Sequence, residues 1–153
     1  MQLTSYLTFN GNCREAMQFY QQCLGGELHF QTVGESPMAF SLPQPVRECI
    51  LHATLVKDAL VLMGSDMVED KGLIKGNAVS LLLQCTSEEE IRNRYTALAS
   101  GGEASHPLTS TFWGAVFGGL VDRFGHHWLL HYEKKEELLP GNASVEQAKN
   151  SFA

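Results

Sequence analysis

A chain of 153 residues is the length of one domain, or of two small modules sharing a core, and its 44% hydrophobic content needs neither metal nor disulfide to fold. A net charge of −6 with no Lys/Arg cluster excludes nonspecific attraction to nucleic acid, and no apolar run approaches the roughly 18 residues of a membrane span. The start, Met1-Gln-Leu-Thr-Ser-Tyr-Leu7, lacks a secretory pattern and Cys13, Cys23, Cys49 and Cys85 lack C-x-x-C spacing, so a cytoplasmic chain with reduced thiols and no nucleic-acid or membrane partner is expected.

Residues 3–9 alternate as a strand, with Leu3, Ser5, Leu7 and Phe9 on one face and Thr4, Tyr6 and Thr8 on the other. Gly11 ends it, Asn12 stands where a helix cap belongs, and Glu15 can close a capping box. Ala16, Phe19, Tyr20, Cys23 and Leu24 recur at helical spacing until Gly25. Residues 27–33 alternate weakly as a second strand. The stretch 34–47, with Pro37, Pro43 and Pro45, reads as a long loop kept out of helix and central sheet, either disordered or serving as a lid or dimer contact. Residues 49–56 and 59–63 form a predicted hairpin turning at Lys57-Asp58, and 65–76 carry the turn and charge signals of a linker.

The pattern then restarts. Residues 79–85 read as a strand, Ser87-Glu-Glu-Glu90 as a capping box, and Ile91, Tyr95, Leu98 and Ala99 as an apolar stripe. Gly101-Gly102-Glu103 closes this helix as Gly25-Gly26-Glu27 closed the first. Residues 111–131 read as an aromatic hairpin turning through Asp122-Arg-Phe-Gly125, with Gly114, Gly118, Gly119 and Gly125 marking bulges or close approach of a strand or ligand. The organisation expected is a first βαβββ module at 1–66, a linker at 67–76, a second module at 77–132 and a polar tail at 133–153 with a short helix that Ser144 can cap. One helix covers only one face of a four-stranded sheet, so the opposite faces need each other, a second subunit or a ligand.

A duplicated βαβββ chain resembles the vicinal oxygen chelate superfamily, which contains glyoxalase I, bleomycin-resistance proteins and extradiol dioxygenases. More narrowly, Tyr6-Leu-Thr-Phe9, Gly11-Asn12, Glu15-Ala16, Phe19-Tyr20, Leu24-Gly25-Gly26, His52-Ala53, Met63-Gly-Ser-Asp66, Phe112-Trp113-Gly114, Phe117-Gly118 and Asp122-Arg-Phe-Gly-His-x-Trp128 are similar to the PhnB-like branch. The resemblance implies an α+β fold in which the curved mixed sheets of two modules surround a cavity, commonly in a homodimer. In metal-using relatives, the ligands are His, Gln or Glu at the start of the first strand and in the last strand of each module. On this chain those positions fall near Ser5, Leu62, Asn77 to Val79, and Leu129, none of them a His or carboxylate. No metal and no cofactor is therefore expected.

If Leu129 faces the cavity, His127 and His131 share its face by strand alternation, while Trp128 and Leu130 point to the helix side. The expected ligand pocket is lined by Ser5, Leu7, Phe9, Leu62, Trp113, Phe117, His127, Leu129 and His131, with His52 and Asp66 as a polar rim. A structural account stands beside each. His127 can meet solvent, His131 can pair with backbone or an acid, and Asp66 can cap a turn. Trp113 and Phe117, two steps of alternation apart, can stack on a planar ligand or join the core. The predicted hairpin register turns His52 toward the helix layer, and a one-residue slip reverses that.

No Gly-x-Gly-x-x-Gly follows a strand, no Gly-x-x-x-x-Gly-Lys-Ser/Thr or Gly-x-Ser-x-Gly occurs, and no glycine-rich loop suits S-adenosylmethionine, although some members of the PhnB-like branch carry a ubiquinone-methyltransferase label. The function expected is metal-independent binding of an unidentified small molecule. The alternatives are a lyase or dioxygenase with a metal relocated to His127, His131 and Asp66, and a dimeric interaction protein without a ligand.

Overall fold

The computed structural model describes residues 1–135, and its contacts divide the chain between Gly76 and Asn77 into two units. In the first, β1 (Ser5–Thr8), β2 (Glu27–Thr32), β3 (Ile50–Lys57) and β4 (Leu60–Ser65) form a sheet in the order β1-β4-β3-β2. Strand β1 runs parallel to β4, and the other pairs are antiparallel. In the second, β5 (Ser80–Gln84), β6 (Glu103–Ser110), β7 (Ala115–Val121) and β8 (His127–Glu133) repeat that order as β5-β8-β7-β6. Helix α1 (Cys13–Leu24) follows β1, and its counterpart α3 (Glu88–Ala99) follows β5. The fold is α+β, built from two mixed four-stranded sheets.

Each helix forms because its apolar residues make one stripe, and that stripe covers one face of its own sheet. Helix α1 buries Cys13, Ala16, Met17, Phe19, Tyr20, Cys23 and Leu24, beneath which Ala53 and Leu55 of β3 are fully buried. Each large side chain so buried contributes about 1.5–3 kcal/mol. Helix α3 buries Ile91, Tyr95 and Leu98. The Tyr95 hydroxyl also lies 2.9 Å from the His106 carbonyl oxygen and 3.0 Å from that of Gly119, tying β6 to β7.

Both helices stop in the same way. A Cβ at Gly26 would lie 2.6 Å from the Val56 carbonyl oxygen, and one at Gly102 would lie 2.2 Å from that of Val121, so only glycine lets the chain pass. A cation from the neighbouring strand end then meets the helix terminus. Lys57 Nζ donates to the Leu24 carbonyl (3.0 Å) and Arg123 Nε to the Ser100 carbonyl (3.0 Å), at the negative end of each helix dipole.

Several local expectations need correction. The side chain of Asn12 does not cap α1. Asp66 supplies the acceptor instead, with Oδ1 taking the amides of Gly11 and Cys13 (both 2.9 Å) and Oδ2 that of Ile50 (2.8 Å). Helical turns occupy most of the expected loop at 34–47, at Val33–Glu35, Pro37–Ser41 and α2 (Gln44–Arg47). Its prolines sit at turn starts, where a missing N–H costs nothing. Glu35 accepts from the Thr32 amide (2.6 Å), and Arg47 Nε donates to the Leu42 carbonyl (2.8 Å). The β3–β4 hairpin turns at Asp58-Ala59, one residue later than expected, with Asp58 at φ 49°. In the α3 cap, Ser87 Oγ accepts from the Glu90 amide (3.0 Å), but Glu90 reaches the Thr86 amide (2.7 Å) rather than that of Ser87. The polar tail beyond residue 135, with the helix expected at Ser144, lies outside the described residues.

Candidate functional site

Gly64 fixes the facing of the first sheet. A Cβ there would meet the Phe9 ring at 3.1 Å and Cys13 Sγ at 3.5 Å, so the residue looks toward α1. Its partners Leu7 and Ala53 look the same way, and so, two residues along, do Ser5, Leu62 and Leu55. Ser5, Leu7 and Leu62, expected in the pocket, thus lie on the helix side of their sheet, and Phe9 is buried in the same layer. Leu62 and Gly64 of β4 face α1, which leaves the opposite face to a different set. His52 takes that helix-free face, with Tyr6, Thr54 and Met63. The register differs from the predicted one by two residues, which preserves parity. His52 and Leu62 stay on opposite faces as read, but the faces are exchanged.

In the second unit the facing is as expected. A Cβ at Gly118 would lie 3.1 Å from the Tyr95 ring, so Gly118 and its partner Leu130 look toward α3, together with Trp128 and Leu120. His127, Leu129, His131 and Phe117 therefore share the helix-free face, joined by Leu82 and Gln84 of β5. Phe117 lies directly across from His131, and Leu82 beside Leu129. His131 Nδ1 is 2.7 Å from Gln84 Oε1. The pair sets a buried imidazole, 3% exposed, beside Phe117 at 36% and Leu82 at 44%.

Trp113 stands apart from this alternation. Residues 111–114 form a turn, with the Gly114 amide donating to the Thr111 carbonyl (3.2 Å) and the Thr111 amide to that of Ala115 (2.8 Å). Strand β7 begins only after it, so strand alternation does not link Trp113 to Phe117. Its ring meets Phe112 edge-on, with centroids 4.8 Å apart.

The two aspartates of the family-like motifs hold the chain together. Asp122, 3% exposed, accepts from the amides of Phe124 (2.8 Å) and His126 (3.0 Å) through Oδ1 and from Trp128 Nε1 (2.8 Å) through Oδ2. The Asp-x-Phe-Gly-x-x-Trp pattern is thus a latch on the β7–β8 turn. Asp66 is the cap described above, with both carboxylate oxygens engaged by backbone amides. Burial pushes the Cys13 thiol up to about 12, with Asp66 adding to the shift, and the Cys85 thiol up to about 11, with Glu90 adding to it. Both cysteines stay protonated and unreactive at neutral pH.

These residues do not fit a resident divalent ion. Ser5 and Leu62 point to the helix side, and Leu129 offers hydrocarbon. His127 and His131 stand four residues apart on one strand, about 13 Å along it, whereas ligands of one ion each sit at about 2 Å from it. Among the described residues no three His, Cys, Asp or Glu side chains come together as a metal site.

Leu82, Gln84, Tyr6 and Thr54 are the residues that sequence reasoning missed. The period-2 pattern of 80–84 places Leu82 and Gln84 on one face. What put them beside Leu129 and His131 is the parallel β5–β8 pairing, a contact between distant segments.

A family model described as 3-demethylubiquinone-9 3-methyltransferase matches residues 1–131. The chain belongs to this family. Protein YjdN of Escherichia coli (strain K12) is 30% identical over 146 residues, a match covering 89% of this chain and 98% of that one. A Pseudomonas aeruginosa protein of known crystal structure is 39% identical with a TM-score of 0.77, over 88% of this chain and 99% of that one. A Bacillus cereus structure described as a putative 3-demethylubiquinone-9 3-methyltransferase, PhnB protein, is 27% identical with a TM-score of 0.67, over 86% and 99%. Structures described as glyoxalase/bleomycin resistance proteins share the fold at 16 and 17% identity, with TM-scores of 0.52 and 0.59. This PhnB family member therefore has the glyoxalase/bleomycin resistance fold. No helix among its described residues is long and apolar enough to cross a membrane.

Proposed function

We propose that this PhnB family member binds an uncharged or weakly polar small molecule without a metal, on the helix-free face of the second sheet. The reading is carried by one observation: the His131–Gln84 pair lies beside half-exposed Phe117 and Leu82. Apolar walls with a few fixed polar groups are the usual composition of a ligand site. Leu129 and His127 extend that surface. The first-sheet residues Ser5, Leu7, Phe9 and Leu62 serve as packing beneath α1, and Asp66 as a structural cap.

The methyl transfer in the family's description is not adopted, since the residues named supply no glycine-rich donor loop. The ordered 33–47 segment, which exposes Met38 at 66% and Phe40 at 94%, supports a homodimer. Four cysteines without a disulfide suit a reducing cytoplasm.

A thermal-shift screen of neutral organic molecules tests the binding. A ligand at a hundredfold excess over Kd adds about 2.7 kcal/mol of stability, visible as a raised Tm, and EDTA leaves that rise unchanged. In Phe117→Ala the same ligand binds about tenfold more weakly. A rise that vanishes with EDTA, or survives Phe117→Ala intact, contradicts the proposal.

A further inference from the structure

The first turn of α1 holds a cation where the helix does not favour one. Arg14 follows Cys13 at the amino end, where the helix dipole is positive, and no carboxylate among the described residues lies within ion-pair distance of it. Its guanidinium sits over the ring of Phe30, 4.8 Å from the centroid, and Phe30 pairs with Ala53 and so faces the helix side of β2. A second guanidinium arrives from α2. Gly34 lets that helix close on the end of β2, since a Cβ there would lie 3.1 Å from the Arg47 carbonyl oxygen and 3.4 Å from Arg47 Cβ. Arg47 Nε and Nη2 donate to the carbonyls of Leu42 and Phe40 (2.8 and 3.5 Å), which anchors the side chain and leaves Nη1 without a partner among the described residues. Arg14 and Arg47 line one open cavity of about 520 Å³ together with Thr32, Gly34, Gln44 and Glu48, a volume within the ordinary range of ligand pockets. Glu48 accepts from Gln44 Nε2 (3.3 Å), and Glu35 is turned onto Thr32, so neither carboxylate neutralises a guanidinium.

We infer that this cavity binds a small organic monocarboxylate that also carries a hydroxyl group. The carboxylate accepts from the two guanidiniums, whose planar forks suit its two oxygens. Two guanidiniums and the Glu48 carboxylate leave the wall with a single net positive charge, which matches a monoanion and disfavours a dianion. Glu48, the Gln44 amide oxygen and the Thr32 hydroxyl supply acceptors for the ligand's own hydroxyl. The adjoining cleft, which Arg14 and Glu48 also line, brings in Glu15 and Asp66 and so repels an anion, directing it to the Arg47 side. Every residue of the site belongs to the first unit, and its ligand is charged, so it stands whether or not the second-sheet surface binds a neutral molecule.

Lactate tests the site, with methyl lactate as the uncharged control and sulfate as the rival dianion. Side-chain Nε signals of the arginines are followed by NMR in the intact chain during titration. Lactate shifts Arg14 and Arg47 and leaves Arg92, Arg94 and Arg123 in place, methyl lactate shifts none of them, and sulfate binds more weakly than lactate. Arg14→Gln weakens lactate about tenfold, and Glu48→Gln, which removes the opposing charge, tightens it about threefold. Arg14 is exposed and its charge opposes the helix dipole, so Arg14→Gln keeps the native Tm, which separates lost binding from a damaged fold. Equal shifts at all the arginines would mean a loose cloud of anions and no site. That result, an unchanged lactate affinity in Arg14→Gln, an equal response to methyl lactate, or sulfate binding more tightly than lactate overturns the inference.

Discussion

Asp122 illustrates how a motif that looks chemical is spent on structure. Its carboxylate holds two backbone amides and one indole N–H within 3.0 Å, in a setting closed to water. Asp122→Asn puts an amide N–H against one of those donors, so stability falls by about 3 kcal/mol in urea unfolding. A loss below about 0.5 kcal/mol would show that the latch is ornamental. The spacing from Asp122 to Trp128 was visible in the sequence, but its purpose was not, since a side chain meeting an indole across a turn is a fact of three dimensions. The thiols make a second residue-scale prediction. Cys13 is raised from 9.0 to about 12, so the folded protein holds its proton more tightly than the unfolded chain does. Stability is then fully present below pH 9 and falls as pH rises toward 12. Cys13 and Cys85 should resist iodoacetamide at pH 8 in the native protein and react once it is unfolded, as read by mass spectrometry. Rapid native alkylation of Cys13 would contradict its burial.

At the scale of elements, the helix stripes, their glycine stops and the repeat of βαβββ were legible because each is a local signal. Ala16, Phe19, Tyr20, Cys23 and Leu24 announce one face at 3.6-residue spacing, and all five are buried. Gly102 answers for its position in the same terms. Its Cβ would lie 2.2 Å from a backbone oxygen that cannot move aside, so Gly102→Ala should cost about 1–3 kcal/mol. A loss below about 0.5 kcal/mol, by thermal or urea unfolding, would remove the close-approach argument. What the elements hid was facing. In β1, alternation groups Ser5 with Leu7 but does not say which group meets the helix, and only Gly64 against Cys13 and Phe9 decides it. The 34–47 stretch misled for a related reason, because prolines forbid helix interiors but favour helix starts, and Pro37 begins a helical turn.

At the scale of the molecule, family membership gives a fold that can host metalloenzymes and binders alike, so function has to be argued from side chains. Two sheets of one design now carry different helix-free faces. One presents Phe117, Leu82, Gln84 and His131, the other Tyr6, His52 and Thr54. At the positions where the superfamily resemblance would place ligands, Ser5, Leu62 and Leu129 offer a hydroxyl and hydrocarbon, and the two histidines of β8 stand about 13 Å apart along the strand, too far to share one ion. The metal content of protein purified without a histidine tag is the most direct test of this account. Elemental analysis should find zinc, nickel, manganese and iron all well below one ion per chain, with ligand-induced stabilisation intact in the same sample. A stoichiometric metal ion, lost together with ligand binding on chelation, would contradict the account.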